Sequence, residues 1–188
     1  MILQAIQLAR NAHEGQSRRF SGGSYIIHPA RVAMRTSLLR YVTEEMIAAA
    51  WLHDVLEDTR VTEDEIRAVV GDTVTNLVKE LTFVEKDLGE FTYEQRKSIQ
   101  NAHVAQASFK AKSIKLLDRL DNLADFDANV TKGACDISKL SRYVKTSWDL
   151  QKILVSQTEK QVDHDLVTEL RVKLLDYNKR HQLIGVIA

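Results

Sequence analysis

One cysteine, one proline and seven glycines in 188 residues say first what this chain is not. With Cys135 alone no disulfide can form within the chain, and a reducing compartment is the natural setting. With Pro29 alone and few glycines, little interrupts the backbone, so long helices are expected. The alternating apolar and polar runs that mark half-buried strands are missing. No span approaches the length of an apolar membrane crossing. The opening "MILQAIQLARNAHEG" lacks the long apolar stretch and cleavage signal of a secretory leader, so a cytoplasmic location is expected. An excess of charge is lacking too, because 26 Lys and Arg balance 26 Asp and Glu. That is not the footprint of a chain wrapped around nucleic acid or pinned to an acidic membrane, and neither partner is expected. No repeat, low-complexity tract or composition break appears, and 1–188 reads as one domain.

What is present is helical periodicity with clear punctuation. Residues 2–14 place Ile2, Ala5, Ile6, Ala9, Ala12 and His13 on one face, with Gly15 as the stop. A loop with Arg18 and Arg19 follows, and "YIIHPARVAMRTSLLRY" starts a second helix with Pro29 in its first turn. Thr43, ahead of Glu44 and Glu45, caps the helix that carries the stretch 50–59. Thr62 with Glu65, and Thr92 with Gln95, make two capping boxes. Gly71 ends the first of those helices, 73–84 reads as a short helix, and the second box opens one running to about 109. "KSIKLLDRLDNLADF" reads as a helix with internal carboxylates, and two longer helices fill 136–160 and 164–180. The expected fold is an all-α bundle of about eight or more helices.

The stretch "AWLHDVLEDT" (50–59) carries four ionisable groups in an otherwise apolar helix. At roughly 100° per residue, His53, Asp54, Glu57 and Asp58 fall within one arc of about 140°. A solvated helix face explains a Glu-Asp pair readily, but a histidine beside an aspartate also offers two ligands to one metal ion. His28, just before Pro29, supplies a second imidazole. Asp118 follows Ile114, Leu116 and Leu117, a position that would normally be buried. A buried carboxylate needs a cation, either a metal or a partner such as Arg119 or a neighbouring lysine. Asn122 lies one turn beyond it. Carboxylates one turn from two ligands are placed to act as general base and water orienter. Arg18, Arg19, Lys112, Lys115 and Arg119 are the cations available to a polyanionic substrate.

The order H…HD…D resembles the HD-domain superfamily of metal-dependent phosphohydrolases. More finely, "AHEGQSRR" (12–19), "YIIHPARVA" (25–33), "AAAWLHDVLEDT" (48–59), "VTEDEIRAVVGDTVTNLVKELT" (61–82) and "KSIKLLDRLDNL" (112–123) resemble the hydrolase domain of RelA/SpoT alarmone enzymes and the stand-alone small alarmone hydrolases. The resemblance covers about residues 1–126, the motif core. The helices of 136–180 match in pattern only. It implies an all-α fold, Mn²⁺ held by His28, His53, Asp54 and Asp118, and hydrolysis of the 3′-pyrophosphate of (p)ppGpp to GDP or GTP and pyrophosphate. Glu57 and Asp58 would orient or deprotonate the attacking water, and Asn122 would lie near the ribose. Arg18 would lie against the guanine, or Arg19 would if the apparently longer 18–24 loop shifts the register. Tyr143 is a ribose or pyrophosphate contact on the same footing. Leu117 departs from the alanine usual in the family. Another HD nucleotide phosphohydrolase, such as an NADPH 2′-phosphatase or a nucleotidase, stays open, as does an inactive alarmone-binding module. A homodimer is a further expectation left open.

Overall fold

The computed structural model describes residues 1–83, 90–183 and 185–186. Ten helices appear among them: α1 (Ile2–Ala12), α2 (Ile27–Thr36), α3 (Glu44–Leu52), α4 (Val55–Asp58), α5 (Glu63–Val70), α6 (Asp72–Leu81), α7 (Tyr93–Gln106), α8 (Phe109–Thr131), α9 (Ile137–Leu154) and α10 (His164–Arg180). The described residues contain no strand, only an isolated antiparallel bridge between Ser17 and Ser24 in the loop after α1. None of their helices is long and apolar enough to cross a membrane.

Helix α8 is the axis of the bundle. An unbroken stretch from Ala111 to Asp121 is buried, so this helix is enclosed on every side rather than on one stripe. Helices α2, α3 and α6 pack on one flank, and α9 and α10 pack on another. Helix α3 reaches α1 and α2 closely because Ala48, Ala49 and Ala50 are all fully buried and have almost no side chain to hold neighbours apart. Enclosure of α8 has a cost that the sequence makes plain. Lys112, Lys115, Asp118, Arg119 and Asp121 are buried with it and each needs a partner.

The caps fall where the side-chain chemistry puts them. Both capping boxes form, Thr62 with Glu65 and Thr92 with Gln95. Thr43 caps α3 through its hydroxyl, and Ser108 opens α8 in the same way. Gly15 adopts φ +75° in the turn that follows α1, a conformation costly for any residue with a Cβ. The helix expected over 73–84 ends at Leu81, with Thr82 extended, and Val84 lies outside the described residues. The helix opened by Thr92 stops at Gln106 rather than running to 109, because Ala107 and Ser108 are extended and start α8.

One expectation is corrected. The helix through "AWLHDVLEDT" is not continuous. It ends at Leu52, and Asp54 turns at φ −100°, ψ −5° before α4 begins at Val55. The arc drawn on a straight helix therefore does not apply across 53–58. His53 and Asp54 sit at a corner, and both side chains turn into the interior.

Candidate metal centre and active site

Three pieces of chain meet at that corner. Helix α2 brings His28 in its first turn, the α3–α4 corner brings His53 and Asp54, and the middle of α8 brings Asp118. The ligand atoms of His28, His53 and Asp118 all lie within 4.8 Å of one another. Asp118 Oδ1 is 3.1 Å from His28 Nε2 and 3.7 Å from His53 Nε2. Asp54 Oδ2 borders the same nitrogens, at 3.2 Å from His53 and 3.5 Å from His28.

The two rings are held by their outer nitrogens. His53 Nδ1 lies 2.8 Å from the Ala50 carbonyl oxygen, which can only accept, so Nδ1 carries the hydrogen. His28 Nδ1 lies 2.7 Å from Asp121 Oδ2, and the same reasoning applies. Both Nε2 lone pairs then point inward, 3.2 Å apart. Two facing lone pairs beside two carboxylates require a positive species between them, a proton or a metal ion.

The electrostatics say the same. Burial would lower the His53 pKa, yet Asp54 and Asp118 push it up to about 10. Burial would raise the Asp54 pKa, but the adjoining His53 holds it well below the carboxylate range. Asp118 is likewise held low against its burial, first by Lys115 and then by the two imidazoles. Both carboxylates stay ionised and demand a counter-charge. Two imidazole nitrogens with carboxylate oxygens are a donor set that fits a divalent ion of borderline softness.

Glu57 and Asp58 project from α4 beside this centre. Glu57 Oε1 accepts a hydrogen bond from the Phe83 backbone N–H. Burial raises the Glu57 pKa above its ordinary value, while Lys115 and that N–H pull it back. Asp58 is also raised, by burial and then by the Asp54 charge. Tyr25 Oη reaches both aspartates, 2.6 Å from Asp54 Oδ2 and 2.9 Å from Asp58 Oδ2, with one hydrogen to share between them. Burial and the two carboxylates keep that phenol protonated far beyond neutral pH. A groove of about 610 Å³ opens along Glu57 and Asp58, bordered by Gln16, Arg60 and Val61.

On the other side, Asn122 joins the centre to the loop after α1. Its Nδ2 donates to Asp118 Oδ1 at 2.6 Å, and its Oδ1 accepts from Arg18 Nη2 at 3.0 Å. Arg18 also pairs with Asp125 at 3.0 Å, and its guanidinium carbon lies 5.8 Å from the centre of the Tyr25 ring. Arg19 is exposed and turns to the Phe20 ring instead. Tyr143 interacts with Asn122, packs at a tilt against Phe126 with ring centres 4.9 Å apart, and has its phenol pushed up to about 12, chiefly by burial.

The ten side chains to which the family resemblance gives roles are thus located, and all but Arg19 converge on one region. Three of the five cations named for a substrate, Lys112, Lys115 and Arg119, are engaged by groups of the protein interior. Lys112 donates to Gln157 Oε1 at 2.8 Å and the Gln161 carbonyl, and Arg119 turns to Asn101 and Ser147. Lys115, not Arg119, answers the Asp118 charge, at 3.0 Å. Four contributors were missed: Tyr25, Arg31, Asp121 and Asp125. Asp121 had a visible signal, since it stands three residues after Asp118 on the same helix and so one turn along the same face.

An all-helical bundle around a buried centre of two histidines and two aspartates is the frame of a metal-binding helical domain. Residues 5–164 match the HD domain model, and the chain belongs to the HD domain family. It is 34% identical over 134 residues to the guanosine-3′,5′-bis(diphosphate) 3′-pyrophosphohydrolase MESH1 of Drosophila melanogaster, covering 70% of this chain and 73% of that one. It is 37% identical over 123 residues to the guanosine-3′,5′-bis(diphosphate) 3′-pyrophosphohydrolase of Aquifex aeolicus, covering 65% of this chain but only 17% of that longer protein. Among solved structures it resembles a metazoan ortholog of SpoT described as hydrolysing ppGpp, with a TM-score of 0.76, 27% identity, and 97% and 96% of the two chains covered.

Proposed function

We propose that this protein is a metal-dependent hydrolase that removes the 3′-pyrophosphate of guanosine 3′,5′-bis(di)phosphate alarmones. The products would be GDP or GTP and pyrophosphate. The observation that carries the reading is the buried pair of inward-facing imidazoles flanked by Asp54 and Asp118, with Glu57 and Asp58 one short helix away. The likeness to MESH1 over nearly three quarters of that protein supports the same substrate class. In this reading 1–188 works as one domain, in the cytoplasm.

His28, His53, Asp54 and Asp118 would hold the metal, and the imidazole nitrogens favour Mn²⁺ over the oxygen-preferring Mg²⁺. When bound, such an ion supplies Lewis acidity toward a phosphoryl oxygen and makes a water more acidic. The remaining work falls to the protein. Glu57 takes the proton of the attacking water, and its raised pKa makes it a stronger base than an ordinary glutamate. The Phe83 N–H fixes the carboxylate for that task. Asp58, tied to Tyr25, orients the water. The water oxygen joins phosphorus while the ribose 3′-oxygen leaves and takes up a proton. Arg18 and Asn122 would bind the nucleoside, with Tyr143 beside the ribose. Arg18 is the better base contact than Arg19 because it reaches inward.

The test is turnover of ppGpp by the protein with Mn²⁺, with and without excess chelator, beside NADPH and nucleoside monophosphates. Metal-dependent release of pyrophosphate from ppGpp is expected. Preferential attack on NADPH or a monophosphate would replace the alarmone reading with another phosphohydrolase. Binding of ppGpp without turnover would make this an inactive module.

A further inference from the structure

We infer that Asp121, clamped by Arg31, is a positioning residue for the metal centre: it fixes the His28 ring with Nδ1–H outward and Nε2 inward. This rests on the metal-site reading above and extends it to two residues outside the ligand set.

The geometry is a ladder between two helices. On α2, His28 and Arg31 are three residues apart, and on α8 so are Asp118 and Asp121, so each pair lies one turn apart on a shared face. The His28 imidazole is gripped from both ends, by Asp118 Oδ1 at 3.1 Å from Nε2 and by Asp121 Oδ2 at 2.7 Å from Nδ1. Asp121 cannot swing, because Arg31 donates to both of its oxygens, from Nε to Oδ1 at 2.6 Å and from Nη2 to Oδ2 at 2.8 Å. A two-point guanidinium clamp fixes the plane of the carboxylate as well as its place.

The consequence for the ligand follows from imidazole chemistry. A neutral ring has one N–H and one lone pair, and the partner of the outer nitrogen decides which nitrogen faces the metal. An acceptor that is ionised also makes the ring a stronger donor than a neutral acceptor does. His53 has only the Ala50 carbonyl for this purpose, so the two imidazoles are not equivalent. His28 is the ligand whose orientation and donor strength depend on a side chain. Asp121 is buried beside His28 while the Arg31 side chain is partly exposed, so the clamp holds Asp121 from the solvent side and leaves its inner oxygen on His28.

The experiment measures the Mn²⁺ dissociation constant of metal-free protein by competition with a chromogenic chelator, in wild type, Asp121→Asn, Arg31→Ala and Arg31→Lys. No nucleotide is present. Asp121→Asn should weaken Mn²⁺ binding by roughly 10–100-fold, the usual effect of removing such an outer partner. Arg31→Ala should weaken it less and in the same direction, and Arg31→Lys should restore part of the loss. The melting temperature of each metal-free variant is measured alongside. A lowered melting temperature with unchanged Mn²⁺ affinity in Asp121→Asn and Arg31→Ala would overturn the inference, since it is what a purely structural pair would give. If Asp121→Asn does not fold, the Arg31 variants decide alone. Wild-type protein that binds Mn²⁺ but leaves ppGpp intact sinks the alarmone reading and not this one. Wild type that binds no Mn²⁺ sinks both.

Discussion

Lys115→Met removes one charge from the interior and keeps nearly the same length of side chain. The ammonium lies 3.0 Å from Asp118 Oδ2, and both side chains are less than a tenth exposed. Burial would lower the Lys115 pKa, but Asp118, Glu57 and Asp54 together hold it far above neutral, so the charge is permanent. Removing one partner of a buried pair costs about 3–5 kcal/mol. The low end applies here, because Asp118 keeps the Asn122 amide at 2.6 Å and two imidazoles. A loss of about 3 kcal/mol in a chain of this size corresponds to a melting temperature roughly 6–12 °C lower. That figure is for the metal-free protein. A divalent ion at the centre supplies a second cation to Asp118, so the loss should shrink to less than half with saturating metal. Calorimetry with chelator and with Mn²⁺ measures both. A metal-free variant melting within about 1 °C of wild type, or equal losses in the two states, would refute the view that Lys115 and the metal share one carboxylate. The variant should also shift the pH profile. Lys115 pulls the Glu57 pKa down, so its removal leaves Glu57 harder to ionise. A general base acts only when ionised, and the acid limb of kcat therefore moves to higher pH.

Three further outcomes are expected. Excess chelator should abolish turnover, with Mn²⁺ restoring it better than Mg²⁺, and full activity in chelator would sink the metal mechanism. Glu57→Gln should keep its bound metal while kcat falls by roughly 10²–10⁴, whereas Asp54→Ala should lose metal; elemental analysis beside kcat separates the two roles. Arg18→Ala should raise KM for a guanine nucleotide more than it lowers kcat, because stacking on a base is mostly uniform binding. The reverse pattern, with Arg19→Ala carrying that effect, would put the loop in a different register.

The parts of this fold that could be read in the chain are those set by near neighbours. Thr62 with Glu65 and Thr92 with Gln95 close their boxes within one turn, so the sequence contains everything the geometry needs. The histidines and aspartates of the centre were legible only as a set: each signal is weak alone, and it is the order H…HD…D that singles them out. What stayed hidden depends on partners far along the chain. A neighbouring lysine was open as the partner of Asp118, and Lys115 stands only three residues before it, but the burial of that pair comes from elements distant in sequence that enclose α8. Nothing local pairs Arg31 with Asp121 across 90 positions.

The corner at His53 and Asp54 is the instructive failure, because residues 44–58 satisfy every local rule for one continuous helix. A straight helix would carry His53 and Glu57 on one line and send Asp54 off by roughly 100°. With the backbone turning at Asp54, both the imidazole and the carboxylate face His28, at 3.2 and 3.5 Å from its Nε2. Glu57 and Asp58 are then free to start again on α4, with Glu57 met by Phe83 and Asp58 by Tyr25. On the proposed mechanism the break therefore separates two tasks that a straight helix would have mixed on one face, holding a metal and handling a water. Local propensity favours the helix, while the buried charges of Asp54 and Asp118 gain from converging on one cation. The second effect is the larger, since an unpaired buried carboxylate costs several kcal/mol and a few residues of helix propensity cost about 1.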